Sequence, residues 1–521
     1  MSEFSQRLFD YARVGAQVLA LALGIGLTLG LAGPWGWVLA MTVGGALTAA
    51  TCRGVESSVR VGGAAGLLGA AFAVRTYRAP RAINALSGWH VGYSQGEVHG
   101  EFLAPLIRSS VVNGHWGRAD VLLIVMMTLG VAAVAALGGW LVSKSPSARA
   151  QTLRIAFGTL AVTAIAAALV LAAFSGPFRL RSTHALPAGT YRYDAAIYMN
   201  TYFNVLGGTP YYESIVKAAA GDSRVMEEGG VRDGKFYGWA YSPAFIRMPW
   251  TFQIWRLIAP NGQLWYVSLF LCVAALYAVW WGLYAVLGVR AALVPPILFP
   301  LLMMATAWVN MYFPDWWAAL AILFSVVFQI RRRYVLAGVL ALLAGVFRDV
   351  ALIWLAILLV NAAVLAWRGE ARWRRLAVMY AVFMMGFFLV YFAHLRAAAP
   401  FVAPQPNSPD IRGRLAVSAV NNLDQRFFAP AAYMMVAYGS AVGRRALFVF
   451  AQIPGWWLVL RREKEALWPV LAFSVFWIAF TLTIGATSSY WGQVYTPVAV
   501  MGTGALFAWA TPRPRLDDQY S

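Results

Sequence analysis

Long apolar runs, divided by short polar or basic segments, set the pattern of this chain. Early runs cover about residues 14–32, 36–51 and, more weakly and rich in Gly and Ala, 61–74; others cover 121–142, 155–174 and 264–287. Most approach the roughly 20 residues with which an α-helix crosses a hydrocarbon core of about 30 Å. Beyond residue 290 the apolar stretches are longer, and each carries one break. Between Arg290 and Arg331 the break is Asn310-Met-Tyr-Phe-Pro-Asp315; between Arg461 and Arg513 it is Thr487–Gln493. Only 14 residues separate Arg348 from the Arg331–Arg333 cluster, and after Asp349 the apolar run resumes as far as Trp367. A single helix through both halves would exceed about 45 Å at roughly 1.5 Å per residue. Turn formers and polar residues at these depths predict three helical hairpins.

Charge orients the hairpins. Each stretch is basic at both ends, and basic clusters favour the cytoplasm, so the tips at 310–315, Arg348-Asp349 and 487–493 point together to the other side. Working backwards, Lys144–Arg154 is cytoplasmic and residues 175–262 form a large outer loop. Residues 395–443 form a second outer loop, with an interfacial helix expected from near Pro430. The expectation is an all-α polytopic membrane protein of about 14 transmembrane helices, both termini inside, with juxtamembrane helices in the large outer-face loop. Residues 1–150 form an N-terminal transmembrane unit, 151–511 the main membrane module and 512–521 a cytoplasmic tail. Residues 1–13 are a partly amphipathic lead-in without a convincing cleavage site behind it, so the first run is expected to be a retained helix.

Composition agrees with this picture. Hydrophobic residues make up 60% and charged residues 12%, against about half and a quarter in soluble domains; mean hydropathy is +0.63. The net charge of +20 would suit nucleic acid, but the basic residues sit between apolar runs, which argues against that partner. Cys52 ends one apolar run and Cys272 lies inside another, a usage that fits neither a disulfide framework nor a metal cluster. The Ala, Gly and Arg content points to a bacterial source. The location expected is therefore the plasma (inner) membrane, with the outer loops on the periplasmic or extracellular face.

The richest chemistry lies in the large outer loop. Within YRYDAAIYMNTYFNVLGGTPYY, Asp194 to Leu206 can form a short helix stopped by Gly207-Gly208 and Pro210. Asp194, Tyr198 and Tyr202 follow one another at four-residue spacing and share a face, suited to lying at the membrane surface. Downstream, Phe236-Tyr-Gly-Trp-Ala-Tyr241-Ser242-Pro243 precedes Pro249 and the next apolar run. The acids Glu213, Asp222, Glu227, Glu228 and Asp233 are expected in a solvated, mobile loop.

An aspartate opening a juxtamembrane helix, D-x-x-x-Y…G-G-x-P-Y-Y, then Y-x-x-x-Y-S-P, resembles the GT-C glycosyltransferases. The likeness is strongest to the branch of polyprenyl-phosphate-mannose-dependent mannosyltransferases, and it covers about residues 152–511. It implies a GT-C-like fold and transfer of a sugar from a polyprenyl-phosphate donor to a lipid-linked glycan, glycolipid or protein acceptor at the outer face. It also implies that Asp194 is the general base. A carboxylate within about 3 Å of an acceptor hydroxyl can take its proton as that hydroxyl attacks. The other reading of Asp194 is structural, because aspartate is a favoured helix N-cap.

The departing lipid phosphate needs a cation or a metal. Arg348 is the candidate for donor-phosphate binding: its 14-residue helix spans roughly 21 Å, so the tip dips below the outer surface. An arginine there must be paired or face a polar cavity. Pairing with Asp315 and snorkelling to headgroups are the structural alternatives. Asp349 is expected to cap the following helix. Asp315 is a second carboxylate, a metal ligand or, favoured here, an N-cap beside interfacial Trp316-Trp317. In the last tip, Tyr490, Gln493 and Tyr495 offer donors and stacking surfaces to a sugar. Together with Tyr198 and Tyr241 these are the supporting positions. His90, His99 and His115, with Glu97 and Glu101, match no zinc signature, so no metal site is expected. No cofactor is required by this chemistry, although a divalent cation would be compatible with it.

Two rival classes compete with the transferase. A secondary transporter or flippase would suit the span interrupted by Pro295-Pro296 and Pro300, yet no matching interruption occurs in an opposite half. A noncatalytic assembly subunit would account for the additional N-terminal spans.

Overall fold

The apolar runs fold as helices, and turns form where the sequence loses its hydrophobic residues. The computed structural model describes residues 3–31, 35–52, 54–78, 118–174, 194–222, 225, 230–237, 246–306, 310–403, 447–484 and 494–512. The N-terminal helices are α1 (Glu3–Leu31), α2 (Gly36–Thr51), α3 (Val55–Arg78), α4 (Arg118–Ser143) and α5 (Ser147–Phe174). Three short helices follow: α6 (Asp194–Leu206), α7 (Tyr211–Ala220) and α8 (Pro249–Ile258). Then come α9 (Leu264–Leu287), α10 (Val294–Thr306), α11 (Pro314–Ile330), α12 (Tyr334–Phe347), α13 (Leu352–Trp367) and α14 (Ala371–Ala398). The last are α15 (Leu447–Leu460), α16 (Lys464–Ile484) and α17 (Thr496–Ala510).

Among the described residues, seven helical segments are long and apolar enough to cross a membrane, including Val121–Ser143, Ser147–Phe174 and Ala371–Phe401. Gly36–Thr51, Pro314–Ile330, Tyr334–Phe347 and Thr496–Ala510 are shorter apolar helices. Leu129, Leu137, Phe270, Met385 and Leu389 are exposed on outer helix faces, a surface that water would penalise and lipid would not. The chain is thus an all-α membrane protein, apart from an antiparallel ribbon pairing Val231–Arg232 with Lys235–Phe236 (β1 and β2).

The weak Gly- and Ala-rich run is a continuous helix, longer at both ends than its hydropathy suggests. Its small residues serve packing. A Cβ on Gly69 would lie 2.7 Å from the Ala22 carbonyl oxygen, so α1 and α3 can approach closely only without one. The proline-rich run also behaves differently from expectation. Pro295 and Pro296 fall in the first turn of α10, where a missing N–H costs nothing, and only Pro300 lies inside it.

Among the described glycines, the tightest approach to a backbone atom joins α15 to α17. A Cβ on Gly455 would sit 2.1 Å from the Gly502 carbonyl oxygen, a backbone atom that cannot rotate away. Gly455→Ala is therefore expected to cost at least about 1–3 kcal/mol, the usual range for overpacking. Thermal unfolding in detergent checks this, with Gly386→Ala as control because a Cβ there meets nothing within 4 Å. Equal melting temperatures for the two variants would remove the close contact.

The basic segments gather at one end of the bundle. Arg332 meets Glu463 at 2.6 Å, Arg372 meets Glu465 at 2.9 Å, and the Tyr334 hydroxyl donates to Glu465. Arg290 donates from Nη1 to the carbonyls of Trp509 and Thr511 at the end of α17, both at 2.9 Å. Arg154 does the same for Ala50 and Cys52 at the end of α2, at 3.0 and 2.8 Å. These guanidiniums occupy helix C-termini, where the macrodipole favours positive charge. The arrangement carries the hairpin pattern read from charge: the cluster at 331–333 and Arg348 lie at opposite ends of α12.

Candidate functional site

At the end opposite the basic cluster, α6, α7 and α8 pack over the hairpin tips. α6 opens at Asp194, as the sequence suggests, and turns at Gly208, whose φ of 91° suits glycine alone among common residues. Its tyrosine row does not lie on a membrane surface. Tyr198 is 8% exposed and Tyr202 fully buried. The Tyr198 ring packs on Phe252 and Phe313, and the Tyr202 ring on Trp255 and Tyr312, all at centroid distances of 6.1–6.4 Å. The Tyr202 hydroxyl donates to the Ala259 carbonyl, and burial pushes its pKa up to about 12. The row was expected at the interface because its pattern is aromatic and polar; α8 and the 310–313 tip instead enclose it. The Asp194 side chain lies outside the described residues.

The acidic stretch expected to be mobile is ordered where it is described. α7 carries Glu213, Asp222 is fully buried with Oδ1 accepting the Val225 N–H at 3.1 Å, and Asp233 forms the ribbon turn with Gly234. The reason is local: residues 211–220 place Tyr211, Ile215, Val216 and Ala219 on one buried face. Glu227 and Glu228 lie outside the described residues.

The hairpin tips meet in a buried ion pair. Arg348 and Asp315 are 3% and 0% exposed, and Nε donates to Oδ1 at 2.8 Å. This is the structural partnership weighed from the sequence. Asp315 is not the N-cap: that position is Phe313, with Pro314 first in α11 and Asp315 second. Nor are Trp316 and Trp317 an interfacial belt, since both are buried, Trp317 donating Nε1–H to the Met311 carbonyl at 2.7 Å. Hydropathy cannot distinguish an aromatic at the lipid edge from one covered by another segment. The second oxygen, Asp315 Oδ2, is buried with no hydrogen-bond partner among the described residues.

Asp349 joins the same group from the next residue. Arg348 leaves α12 in an extended conformation, so the two neighbouring side chains can converge although a helix would separate them. Arg348 Nη1 stands 3.5 Å from Asp349 Oδ1, which also accepts the Val350 N–H at 2.9 Å. Asp349 is 32% exposed, so this edge of the guanidinium faces the more open side. The Tyr391 phenol lies beside Asp349 and within electrostatic reach of both Arg348 and Arg247. Arg247 in turn sits over the Tyr198 ring, 5.7 Å from its centroid, one helical turn from Asp194. The Thr251 hydroxyl donates to the Val346 carbonyl at 3.2 Å and ties the start of α8 to this tip.

Sequence reasoning missed Arg247, Tyr391 and His394. Arg247 is one basic residue in a loop, without a marking motif. His394 did carry a signal, because an ionisable side chain inside an apolar span is a functional candidate by default.

Tyr495 is not brought to this cluster. It is buried, stacked on Trp477 at 6.1 Å and against Phe473 at 5.8 Å, so it packs α17 onto α16. Tyr241, Tyr490, Gln493, the helix expected near Pro430, and His90, His99 and His115 lie outside the described residues. Among the described residues no group of three or more His, Cys, Asp or Glu side chains could hold a metal. An open groove of about 450 Å³ lies to one side, lined by Glu213, Lys217, Arg232, Asp233 and Phe401.

Chemically, the cluster offers two guanidiniums near carboxylates, phenols and aromatic rings, groups of the kind that recognise an anion bearing hydroxyls. No family model matches this chain, and neither a curated protein nor a solved structure does.

Proposed function

We propose that the protein is a membrane glycosyltransferase of the GT-C type, moving a sugar from a polyprenyl phosphate to a lipid-linked glycan, glycolipid or protein acceptor. One observation carries the reading. The helix that opens at Asp194 is docked, through Tyr198 and Arg247, on the hairpin tips that hold Arg348. Four segments distant in sequence thereby supply a candidate base and candidate phosphate ligands at one end of the bundle. In this proposal the chain crosses the membrane about 14 times, the basic end is cytoplasmic, and the cluster faces the periplasm or exterior.

In the reaction, the Asp194 carboxylate takes the proton of the acceptor hydroxyl. The freed oxygen pair forms a bond to the anomeric carbon, and the bond from that carbon to the phosphate oxygen breaks. The electron pair leaves with polyprenyl phosphate, whose added negative charge Arg348 stabilises from its Nη edge. The Asp315 carboxylate holds the Nε edge, so the guanidinium is oriented before the donor arrives.

The test uses the purified chain in nanodiscs with radiolabelled polyprenyl-phosphate sugars and a mixed lipid extract as acceptor. Appearance of labelled glycolipid or glycan with stoichiometric free polyprenyl phosphate is expected. Uptake of label into vesicles without release of lipid phosphate would replace this reading with the transporter or flippase.

A further inference from the structure

His394 stands in the middle of a hydrogen-bonded clasp that the proposed chemistry does not use. It lies near the end of α14, is 3% exposed, and belongs to an apolar segment long enough to span a membrane. Its Nε2 is 2.8 Å from the Ile246 carbonyl. A carbonyl only accepts, so Nε2 carries the proton, and Nδ1 of the neutral ring is left as an acceptor. The Tyr212 hydroxyl donates to it at 2.9 Å. The imidazole is also stacked on the Tyr212 ring at 5.8 Å, and Tyr212 is stacked on Phe401 at 5.4 Å.

The next carbonyl along the chain is held as well. Tyr211, beside Tyr212, donates its hydroxyl to the Arg247 carbonyl. Two successive carbonyls, Ile246 and Arg247, are thus pinned from opposite elements: one by a membrane helix, the other by the first residue of α7. The adjacent tyrosines of the G-G-x-P-Y-Y sequence share this work, one gripping the histidine and the other the backbone. What the pins position is the Arg247 side chain over Tyr198, 5.7 Å from the ring centroid; the Tyr391 phenol feels the charge of Arg247 as well as of Arg348 and Asp349.

We infer that His394 and the Tyr211-Tyr212 pair form a clasp that holds Arg247 as a second cation, in addition to Arg348, for the phosphate of the lipid donor. His394 is a positioning residue, acting through the Ile246 carbonyl and Tyr212. The anion it serves rests on the transferase reading; the clasp itself does not. A buried histidine in an apolar span is costly, and its two directional bonds, to the Ile246 carbonyl and the Tyr212 hydroxyl, account for its presence.

Two measurements on the full chain in nanodiscs separate the parts. Hydrogen exchange, followed by mass spectrometry, reports on the peptide covering residues 246–252. His394→Phe keeps an aromatic ring but neither bond. It is expected to speed exchange there at least about tenfold, because a local pin has gone while the core helices remain protected. His394→Gln keeps a donor for the Ile246 carbonyl and should restore most of the protection. Unchanged exchange in His394→Phe would overturn the clasp.

Binding of a short-chain polyprenyl monophosphate is the second readout. His394→Phe and Arg247→Ala should each weaken it at least about tenfold, with His394→Gln near wild type, since misplacement by about 1 Å is enough to lose that much. Accelerated exchange with unchanged affinity would overturn the role of Arg247 as phosphate ligand. If the wild-type chain binds no polyprenyl phosphate while His394→Phe still loosens the segment, the clasp stands and the donor assignment falls.

Discussion

Asp194→Asn is expected to lower the rate of sugar transfer by about 10²–10⁴-fold, the range that a positioned general base contributes, while leaving the protein folded. Asparagine makes the comparison informative. Asp194 is the first residue of α6, and Asn matches Asp in size and shape. Substitution by Asn therefore keeps the start of the helix and deletes the proton acceptor. Asp194→Ala removes the polar side chain altogether. The measurements are single-turnover transfer and the melting temperature of each variant. A fully active Asp194→Asn enzyme would leave Asp194 a structural residue at the start of α6 and nothing more.

The second large effect concerns stability. Asp315→Ala leaves the guanidinium of Arg348 in a site where the pair is 4% and 0% exposed at the side chain. Removing one partner of a buried ion pair costs about 3–5 kcal/mol, because the remaining charge stays desolvated. The double substitution Asp315→Leu with Arg348→Met removes both charges and should recover most of that loss. Denaturation of Asp315→Leu, Arg348→Met and the double in one detergent provides the cycle. If the double is no more stable than Asp315→Leu alone, the pair is not what holds the tips together. The double should nevertheless lose donor binding, because it keeps the packing and deletes the proposed phosphate ligand. Stability and activity thus move apart in this one variant, and neither single substitution achieves that.

Much of the architecture was legible before any coordinate. The helical hairpin with Arg348 at its tip follows from two facts: 14 apolar residues fit one short crossing, and strong basic clusters do not sit on opposite sides. The start of α6 at Asp194 and its stop before Gly208 follow from capping and from glycine. What the sequence misjudged was burial. It read Tyr198, Tyr202, Trp316 and Trp317 as interfacial, and all four are covered by segments from elsewhere in the chain. Tyr495 was read as a substrate contact and is a core residue between α16 and α17.

The difference has a physical origin. Crossing a membrane requires a local property, enough consecutive apolar residues to satisfy the hydrocarbon, and that is written in one stretch of chain. Helical class and the breaks at 310–315 and Arg348-Asp349 were therefore determined by the sequence alone, while the break expected at 487–493 lies outside the described residues. Partnership depends on distances between residues far apart in the chain. Arg348 lies 33 positions from Asp315, Tyr212 182 from His394, and His394 148 from Ile246. No spacing rule joins such positions. Only the packing of α6, α7 and α8 over the tips decided which polar groups come together there, because a buried charge or polar group needs a partner.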